Sequence, residues 1–241
     1  SRDILRDSFS LDPNDLDEKY GYQAAVTFLR QRKGKTNVSV SDITAEDKKA
    51  FLAKVADRYF RITTAAIRKY DPKHLCLGSR FHGNVKSHNE VFKAAGRYLD
   101  VVSINHYHAW SIDLAERGSK AVDLPAMWAA ESGRPLLITE FYAKGMDTGM
   151  INEAGAGWVV ETQRDRGLFY QHFTLELLKN KNFVGWHWFK YRDDNPTDPD
   201  ILASNYSSNK GILSCDYKPY NDLLLQMKPV NTHVYSLIDY F

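Results

Sequence analysis

From residue 74 to residue 191 the sequence alternates between short apolar runs and longer runs with helical periodicity. Strands separated in this way by helices form parallel sheets, because a parallel connection has to cross back over the sheet. Apolar strands that lack a polar alternation indicate a sheet covered on both faces. Four strands are predicted, at 74–81, 99–107, 135–141 and 183–191, with helices at 89–95, 124–132, 162–180 and 219–227.

The first 70 residues contain helical patterns but no convincing strand. A helix is predicted over Tyr20–Arg32, and a longer one begins at Thr44 and ends at Tyr70, where Asp71-Pro72 stops the pattern. A closed barrel of alternating strands and helices needs eight strands. The four strands found here therefore predict half of such a barrel.

The order of these segments predicts the fold class. We expect an α/β chain that forms strands five to eight of a (β/α)8 TIM barrel, with residues 1–45 as a helix and loop insertion and residues 46–241 as the half-barrel. Four strands alone would leave two open edges and one apolar face. A complementary N-terminal half-barrel segment or chain is therefore an expected partner.

The composition argues against several other classes of protein. The 32 basic residues balance 30 acidic ones, so there is no basic excess for nucleic acid, and no apolar run reaches the ~18 residues of a membrane span. No histidine and cysteine cluster has zinc spacing, and the acid-rich run 193–200 is interpreted as a polar loop with Asx turns rather than a calcium loop. We expect no metal or cofactor, and free thiols at Cys76 and Cys215.

One carboxylate stands out at a strand end. Active sites of parallel strand–helix folds lie at the C-terminal ends of the strands, and the strand 135–141 ends in Thr139-Glu140-Phe141. Burying a carboxylate there is costly unless it is paired or hydrogen-bonded. For Glu140 alone, a structural salt bridge is the simpler interpretation. The side chains that close the neighbouring strands favour a functional one.

The preceding strand ends in Asn105-His106-Tyr107. Strand alternation places Asn105 and Tyr107 on one face and His106 on the other. Tyr107 is predicted to donate a hydrogen bond to Glu140, the alternative being a half-buried packing aromatic. We interpret His106 as a packing residue and Asn105 as a candidate substrate ligand. Trp110, in the following loop, is either a sugar platform or a loop anchor.

Two more strand ends carry candidate substrate-binding residues. On strand 183–191, Trp186 is interpreted as core filling, whereas Trp188 lies nearer the end and is predicted to form the floor of a sugar site, with Lys190 beside it. The strand 74–81 ends at Arg80, and His82 follows. Three roles are open for Arg80: it holds a substrate hydroxyl, it orients the carboxylate, or it forms a structural ion pair.

Three of these strand ends resemble those of clan A glycoside hydrolases. They are Leu-Leu-Ile-Thr-Glu140-Phe, Ser-Ile-Asn-His-Tyr107 and Gly-Trp-His-Trp188-Phe-Lys-Tyr. Within that clan the sequence is most similar to the β-agarase and related β-galactan hydrolase group. The similarity extends over about residues 46–241 and includes segments 68–80, 209–212, 216–220 and 227–231.

The resemblance implies a retaining glycoside hydrolase that acts on a β-linked, galactose-containing polysaccharide or oligosaccharide. Such an enzyme uses two carboxylates, one as nucleophile and one as acid/base. The nucleophile motif falls on Glu140, its hydrogen-bonding tyrosine on Tyr107 and the tryptophan of the last strand on Trp188, after which a non-proline cis peptide is expected. The resemblance also implies a secreted or periplasmic protein.

One part of the family pattern is missing. Its acid/base closes the fourth strand in an Asn-Glu motif, and neither Asn89-Glu90 nor Asn152-Glu153 ends a strand at that place. The acid/base is therefore expected upstream of Ser1. The alternative function is a non-catalytic carbohydrate-binding or scaffold module that retains the half-barrel, which would bind sugar without turnover.

Overall fold

The structure, a computed structural model, describes residues 3–107 and 124–241. Trp110, the candidate sugar platform, lies outside these residues. The chain divides into two compact units. The first comprises Ser1–Gly78, Gly83–Val101 and Ala130–Gly133, and the second comprises Ser79–His82, Val102–Ala129 and Arg134–Phe241.

The first unit is built from helices. They are α1 (Ile4–Ser8), α2 (Lys19–Lys33), α3 (Ala45–Tyr70), α4 (Asn89–Tyr98) and the end of α5 (Leu124–Ser132). Helix α3 begins with a capping box, in which Thr44 and Asp47 exchange hydrogen bonds between side chain and backbone. A core of Leu5, Ala25, Phe28 and Phe51 joins the first three helices. The long helix predicted from Thr44 to Tyr70 is confirmed.

Helix α4 contains a glycine at a close backbone contact. A Cβ at Gly96 would lie 1.9 Å from the carbonyl oxygen of Ser132. Since this neighbour is backbone, it cannot move away by a rotamer change. Gly96→Ala is expected to lower the free energy of unfolding by about 3 kcal/mol, the upper range for overpacking, as measured by urea denaturation.

A matched control lies on the exposed side of the same helix. Lys93 makes only a partly exposed ion pair with Glu131, so Lys93→Ala is expected to change the free energy of unfolding by about 0–1 kcal/mol. Equal effects of the two substitutions would contradict the close contact at Gly96.

The second unit contains a parallel sheet. Strands β1 (Val102–Asn105), β2 (Leu136–Phe141) and β5 (Phe183–Trp188) are hydrogen-bonded in that order, and Phe81 forms an isolated parallel bridge with Ile104 on the outer side of β1. Neighbours in the sheet therefore follow one another along the chain. The predicted α/β class with parallel strands is confirmed.

The predicted strand over residues 74–81 is wrong except at its last residue, where only Phe81 pairs. Two features interrupt it. Gly78 has a φ of +64°, which extended strands do not adopt. In addition, the Asp100 carboxylate accepts the backbone N–H of Cys76 at 2.7 Å, taking a donor that a sheet ladder would use.

Helices cover one face of this sheet. Helix α6 (Gln163–Asn180) packs against β5, and α7 (Asn221–Thr232) and α8 (Val234–Tyr240) follow. The fully buried Phe141 ring at the end of β2 stacks on Phe173 of α6 at 4.2 Å and on Tyr170 at 5.8 Å. Helix α7 continues through Pro229, beyond the predicted end at residue 227.

A second, two-stranded sheet was absent from the sequence prediction. Strand β3 (Ala143–Gly145) follows β2 almost directly and pairs in parallel with β4 (Trp158–Val160). Arg166 of α6 donates to the Ala143 carbonyl at 2.8 Å, which fixes β3 to the helix. Among the described residues, no helix has the length and apolar character of a membrane span.

Candidate active site

The strand ends of the main sheet are tied together by backbone hydrogen bonds. The N–H of Asn105 donates to the carbonyl of Phe81 at 2.8 Å, and the N–H of His106 donates to the carbonyl of Glu140 at 2.9 Å. These bonds bring three successive parallel segments to one edge. This edge is where functional side chains of parallel strand–helix folds collect.

The Glu140 carboxylate accepts hydrogen bonds from two side chains at this edge. The phenol of Tyr107 donates to Oε2, and the guanidinium of Arg80 donates to Oε1 and forms an ion pair. The Glu140 side chain is 13% exposed, whereas that of Arg80 is 56% exposed. The hydrogen bond predicted from Tyr107 to Glu140 is present, and both donors stabilise negative charge on the carboxylate.

Aromatic rings surround the phenol that holds Glu140. The Tyr107 ring meets the ring of the buried Tyr142 edge-on at 5.0 Å, and the exposed His82 packs against its other side at 5.8 Å. Burial, with the hydrogen bond to Glu140, raises the pKa of Tyr107 well above its usual value. Burial and the charge of Glu140 also raise the pKa of Tyr142. Both phenols therefore keep their protons at neutral pH.

The other two residues at the end of β1 have different surroundings. Asn105 is buried, and its Oδ1 accepts a hydrogen bond from Thr139 at 2.7 Å, which links β1 to β2. The His106 ring lies between Trp128 at 5.2 Å and Phe173 at 5.9 Å. The position of His106 agrees with the packing role inferred from strand alternation.

Trp188 lies on the helix-facing side of β5. Its ring is 5.3 Å from Phe141 and 5.9 Å from Tyr170, and the Arg166 guanidinium stacks over it at 5.4 Å. Its Nε1 donates to the Lys210 carbonyl at 2.8 Å. These contacts favour packing over the predicted floor of a sugar site.

The next residue, Phe189, faces the other way. Its ring lies 6.0 Å from that of Tyr142. A non-proline cis peptide joins Phe189 to Lys190. It therefore lies one residue later than the bond after Trp188 at which a cis peptide was expected. The Lys190 ammonium forms a 2.5 Å ion pair with Asp194. Phe189 therefore lies beside Tyr142, the ring that packs against Tyr107.

A buried polar network underlies the site. The fully buried Asp193 accepts four hydrogen bonds, at 2.6–2.8 Å, from the backbone N–H groups of Lys210 and Gly211, the amide of Asn209 and the phenol of Tyr220. The network was missed in the sequence, because Asp193 and Asn209 sit in stretches that are typical of exposed loops. An acceptor with four donors fixes the segment after β5 against the helices.

The described residues supply no metal site. No group of three or more His, Cys, Asp or Glu side chains among them has a geometry that could hold an ion. In the run 193–200, Asn195 accepts the N–H of Thr197 and Asp198 accepts the N–H of Asp200. These bonds confirm the predicted Asx turns. Cys76 and Cys215 are free thiols, as predicted.

Comparisons with known proteins agree with this architecture. No protein-family model matches the chain. The chain is 32% identical over 187 residues to β-agarase A of Vibrio sp. (strain JT0107), which covers 77% of this chain and 18% of that protein. The crystal structure of BpGH50 superposes with a TM-score of 0.82 and 38% identity, over 100% of this chain and 48% of the other. The crystal structure of the agarase AgWH50C superposes with a TM-score of 0.72 and 27% identity, over 98% of this chain and 32% of the other.

Each of these proteins is longer than the chain, which spans from about a fifth to about half of their lengths. The similarity extends over nearly the whole of this chain in both solved structures. The resemblance to the agarase-like glycoside hydrolases is therefore confirmed, for one part of such a protein.

Proposed function

We propose that this chain is the nucleophile-bearing part of a retaining glycoside hydrolase that acts on an agarose-type β-galactan. Glu140 is the proposed nucleophile. The observation that carries the proposal is its carboxylate at the end of β2, which accepts hydrogen bonds from Tyr107 and from the exposed Arg80. A retaining hydrolase needs such an oriented, negatively charged carboxylate to attack the anomeric carbon.

The proposed role of Tyr107 is to hold Glu140 in its attacking position. One carboxylate oxygen receives the phenol and the other the guanidinium, so the rotation of the carboxylate is restrained. A 1 Å misplacement of a reacting group costs about 10²-fold in rate. We assign substrate contacts to Arg80, His82 and Lys190, whose side chains remain at least partly exposed at the same edge.

The fold supports a half-barrel as the scaffold. The Phe81 bridge, β1, β2 and β5 run parallel and in chain order, as neighbouring strands of a (β/α)8 barrel do. On β5, Trp186 and Trp188 contact α6, whereas Val184 and His187 are exposed. We propose that strands one to four, from elsewhere in the same longer protein, cover the exposed part of this sheet and supply the acid/base.

The names of the relatives support the choice of substrate. Two similar proteins are called agarases, and agarose is a neutral galactan whose sugar faces fit aromatic side chains such as Phe189. A polysaccharide is too large to enter a cell intact and is degraded outside it, so we also propose that the protein is exported. Release of soluble sugars from agarose by the full-length protein would test the substrate.

Covalent trapping tests the nucleophile. With an activated 2-deoxy-2-fluoro-β-galactoside, the fluorine destabilises the oxocarbenium-ion-like transition states of both steps. The good leaving group restores the rate of the first step only, so the glycosyl-enzyme accumulates. Incubation with the full-length protein is expected to give a peptide that carries one fluorogalactosyl group on Glu140, located by tandem mass spectrometry. A label on another carboxylate would refute the assignment. Sugar binding without any label would instead favour the non-catalytic module.

A further inference from the structure

A lysine lies buried behind the Glu140 site. Lys210 is 2% exposed and follows β5 in the chain. Its backbone N–H donates to Asp193 at 2.7 Å, and its carbonyl accepts the N–H of Lys190 at 3.0 Å and the indole N–H of Trp188 at 2.8 Å. The backbone of Lys210 is therefore fixed on both sides, and the root of its side chain has a defined position.

The ammonium group of Lys210 also has a defined position, because two hydrogen bonds hold it. Its Nζ donates to the carbonyl of Ser204 at 2.5 Å and to the side-chain oxygen of Asn205 at 2.9 Å. It also lies 4.9 Å from the centre of the Tyr142 ring and 5.7 Å from that of Phe189. A cation at these distances from an aromatic face is attracted to it, and more strongly where water is excluded.

Tyr142 transmits this contact towards the carboxylate. Its buried ring packs edge-on against Tyr107, whose phenol donates to Glu140. The ring has no free space on another side, since a Cβ at Gly157 would lie 2.3 Å from it. Three contacts in series thus connect the ammonium of Lys210 to the carboxylate.

We propose that Lys210 is a positioning residue that holds the Tyr142 ring against Tyr107 and thereby fixes the Glu140 carboxylate for attack. This inference rests on the proposed function of Glu140. Lys210 itself is buried and does not touch the sugar. The competing explanation is that Lys210 only stabilises the fold, through its bonds to Ser204 and Asn205.

The charge of Lys210 gives the proposal a second consequence. The surrounding titratable groups on β2, β3 and the segment after β5 are Glu140, Tyr142, Lys144, Lys190, Asp193 and Asp194. Burial, and then the charges of Lys144 and Lys190, lower the pKa of Lys210 to about 8. A neutral amine has no cation–π attraction, so the restraint on Tyr142 weakens as the pH rises through this value.

Replacement of Lys210 by methionine tests the positioning role. Methionine keeps the approximate length of the side chain and removes its charge. In the full-length protein, the pre-steady-state burst of dinitrophenolate from 2,4-dinitrophenyl β-galactoside reports the attack step, because this leaving group needs no protonation. At neutral pH the burst rate constant is expected to fall by about 10–10²-fold, with little change in the substrate concentration that gives half of the maximal burst rate. The decline of the wild-type rate near pH 8 is expected to be absent from Lys210→Met.

Lys144 offers a matched control. It is also a buried lysine, and its ammonium donates to the carbonyls of Asn152 at 2.7 Å and Ala154 at 3.1 Å. Lys144→Met and Lys210→Met are expected to lower the melting temperature to a similar extent, because each removes a buried ammonium group and its hydrogen bonds. In Lys144→Met the attack rate should still decline at alkaline pH, but the decline should move to higher pH. The reason is that the substitution removes a positive charge that lowers the pKa of Lys210.

The outcomes separate this inference from the proposed function. Trapping of Glu140 in the wild type together with an unchanged rate and pH profile in Lys210→Met would overturn the positioning role alone. Failure to trap Glu140 would overturn both. If Lys210→Met does not fold, the wild-type profile decides: an attack rate that stays constant as the pH is raised through about 8 would contradict the proposal.

Discussion

Glu140→Ala in the full-length protein is expected to lower the rate of galactan hydrolysis by about 10⁴-fold or more. The estimate follows from the effect of removing the nucleophile from other enzymes that work through a covalent intermediate. The phenol of Tyr107 and the guanidinium of Arg80 would lose their shared acceptor, but the Arg80 side chain is 56% exposed and can bind water instead, so the fold should survive. Reducing-sugar release, with circular dichroism to check folding, measures both effects.

Chemical rescue makes this prediction specific to a nucleophile. Alanine leaves a space on the face of the sugar that the carboxylate attacked, and a small anion such as azide can enter it. With an activated aryl β-galactoside, azide is expected to restore turnover in Glu140→Ala and to give the α-galactosyl azide, the product of a single displacement. A β-azide, or the absence of any rescue in a folded variant, would argue against attack by Glu140.

A second glutamate provides the control. Glu153 lies in the loop between β3 and β4, is exposed, and belongs to one of the two Asn-Glu pairs in the chain. Glu153→Gln is expected to leave the rate within about twofold of wild type, because surface substitutions away from a site have small effects. A large loss in this variant would identify Glu153 as an essential acid and would remove the need for an upstream acid/base.

The second large effect is expected on stability. Asp193→Asn should lower the free energy of unfolding by about 3–5 kcal/mol, as breaking a buried charged network does. Both Asp193 oxygens accept two donors each, and an amide would turn an NH₂ group towards one of these pairs. The buried Arg166 would also lose a favourable charge. For a protein of this size the melting temperature should fall by about 6–20 °C.

Asp198, five residues further on, is the matched control. It is exposed, and its carboxylate accepts the N–H of Asp200 within an Asx turn, at 2.9 Å. Since asparagine forms the same turn, Asp198→Asn is expected to unfold within about 1 °C of wild type. A similar result for Asp193→Asn would mean that the network around it contributes little to stability.

The sequence alone predicted the elements whose signal is local. The helix from Thr44 to Tyr70 has a capping box at its start and a proline after its end, and its observed bounds are Ala45–Tyr70. The strands that became β1, β2 and β5 are apolar runs bounded by polar residues, so their presence and order were evident. The run 74–81 looked the same, but a left-handed glycine and a competing side chain interrupted it.

Some residues of the candidate site could also be predicted from the local sequence, and others could not. Glu140 and Tyr107 lie near the ends of two neighbouring predicted strands, which was enough to predict that they meet. Trp188 was predicted to be the floor of a sugar site because it lies near the strand end, whereas its contacts with Phe141, Tyr170 and Arg166 come from other segments and leave no signal in the local sequence. Lys210 and Asp193 gave no signal, since burial of a charged loop residue depends on contacts with segments far away in the chain.

The parallel pairing of β3 with β4 limits how the segment that connects the two strands can be changed. An antiparallel ribbon can be shortened to a two-residue turn, but a parallel one needs a connection of about a dozen residues to bring the chain back to its starting edge. The segment between Gly145 and Trp158 is about that long. Its length can therefore increase, but a deletion within it would unpair the two strands. Loop exchange at this position should graft longer segments, never shorter ones.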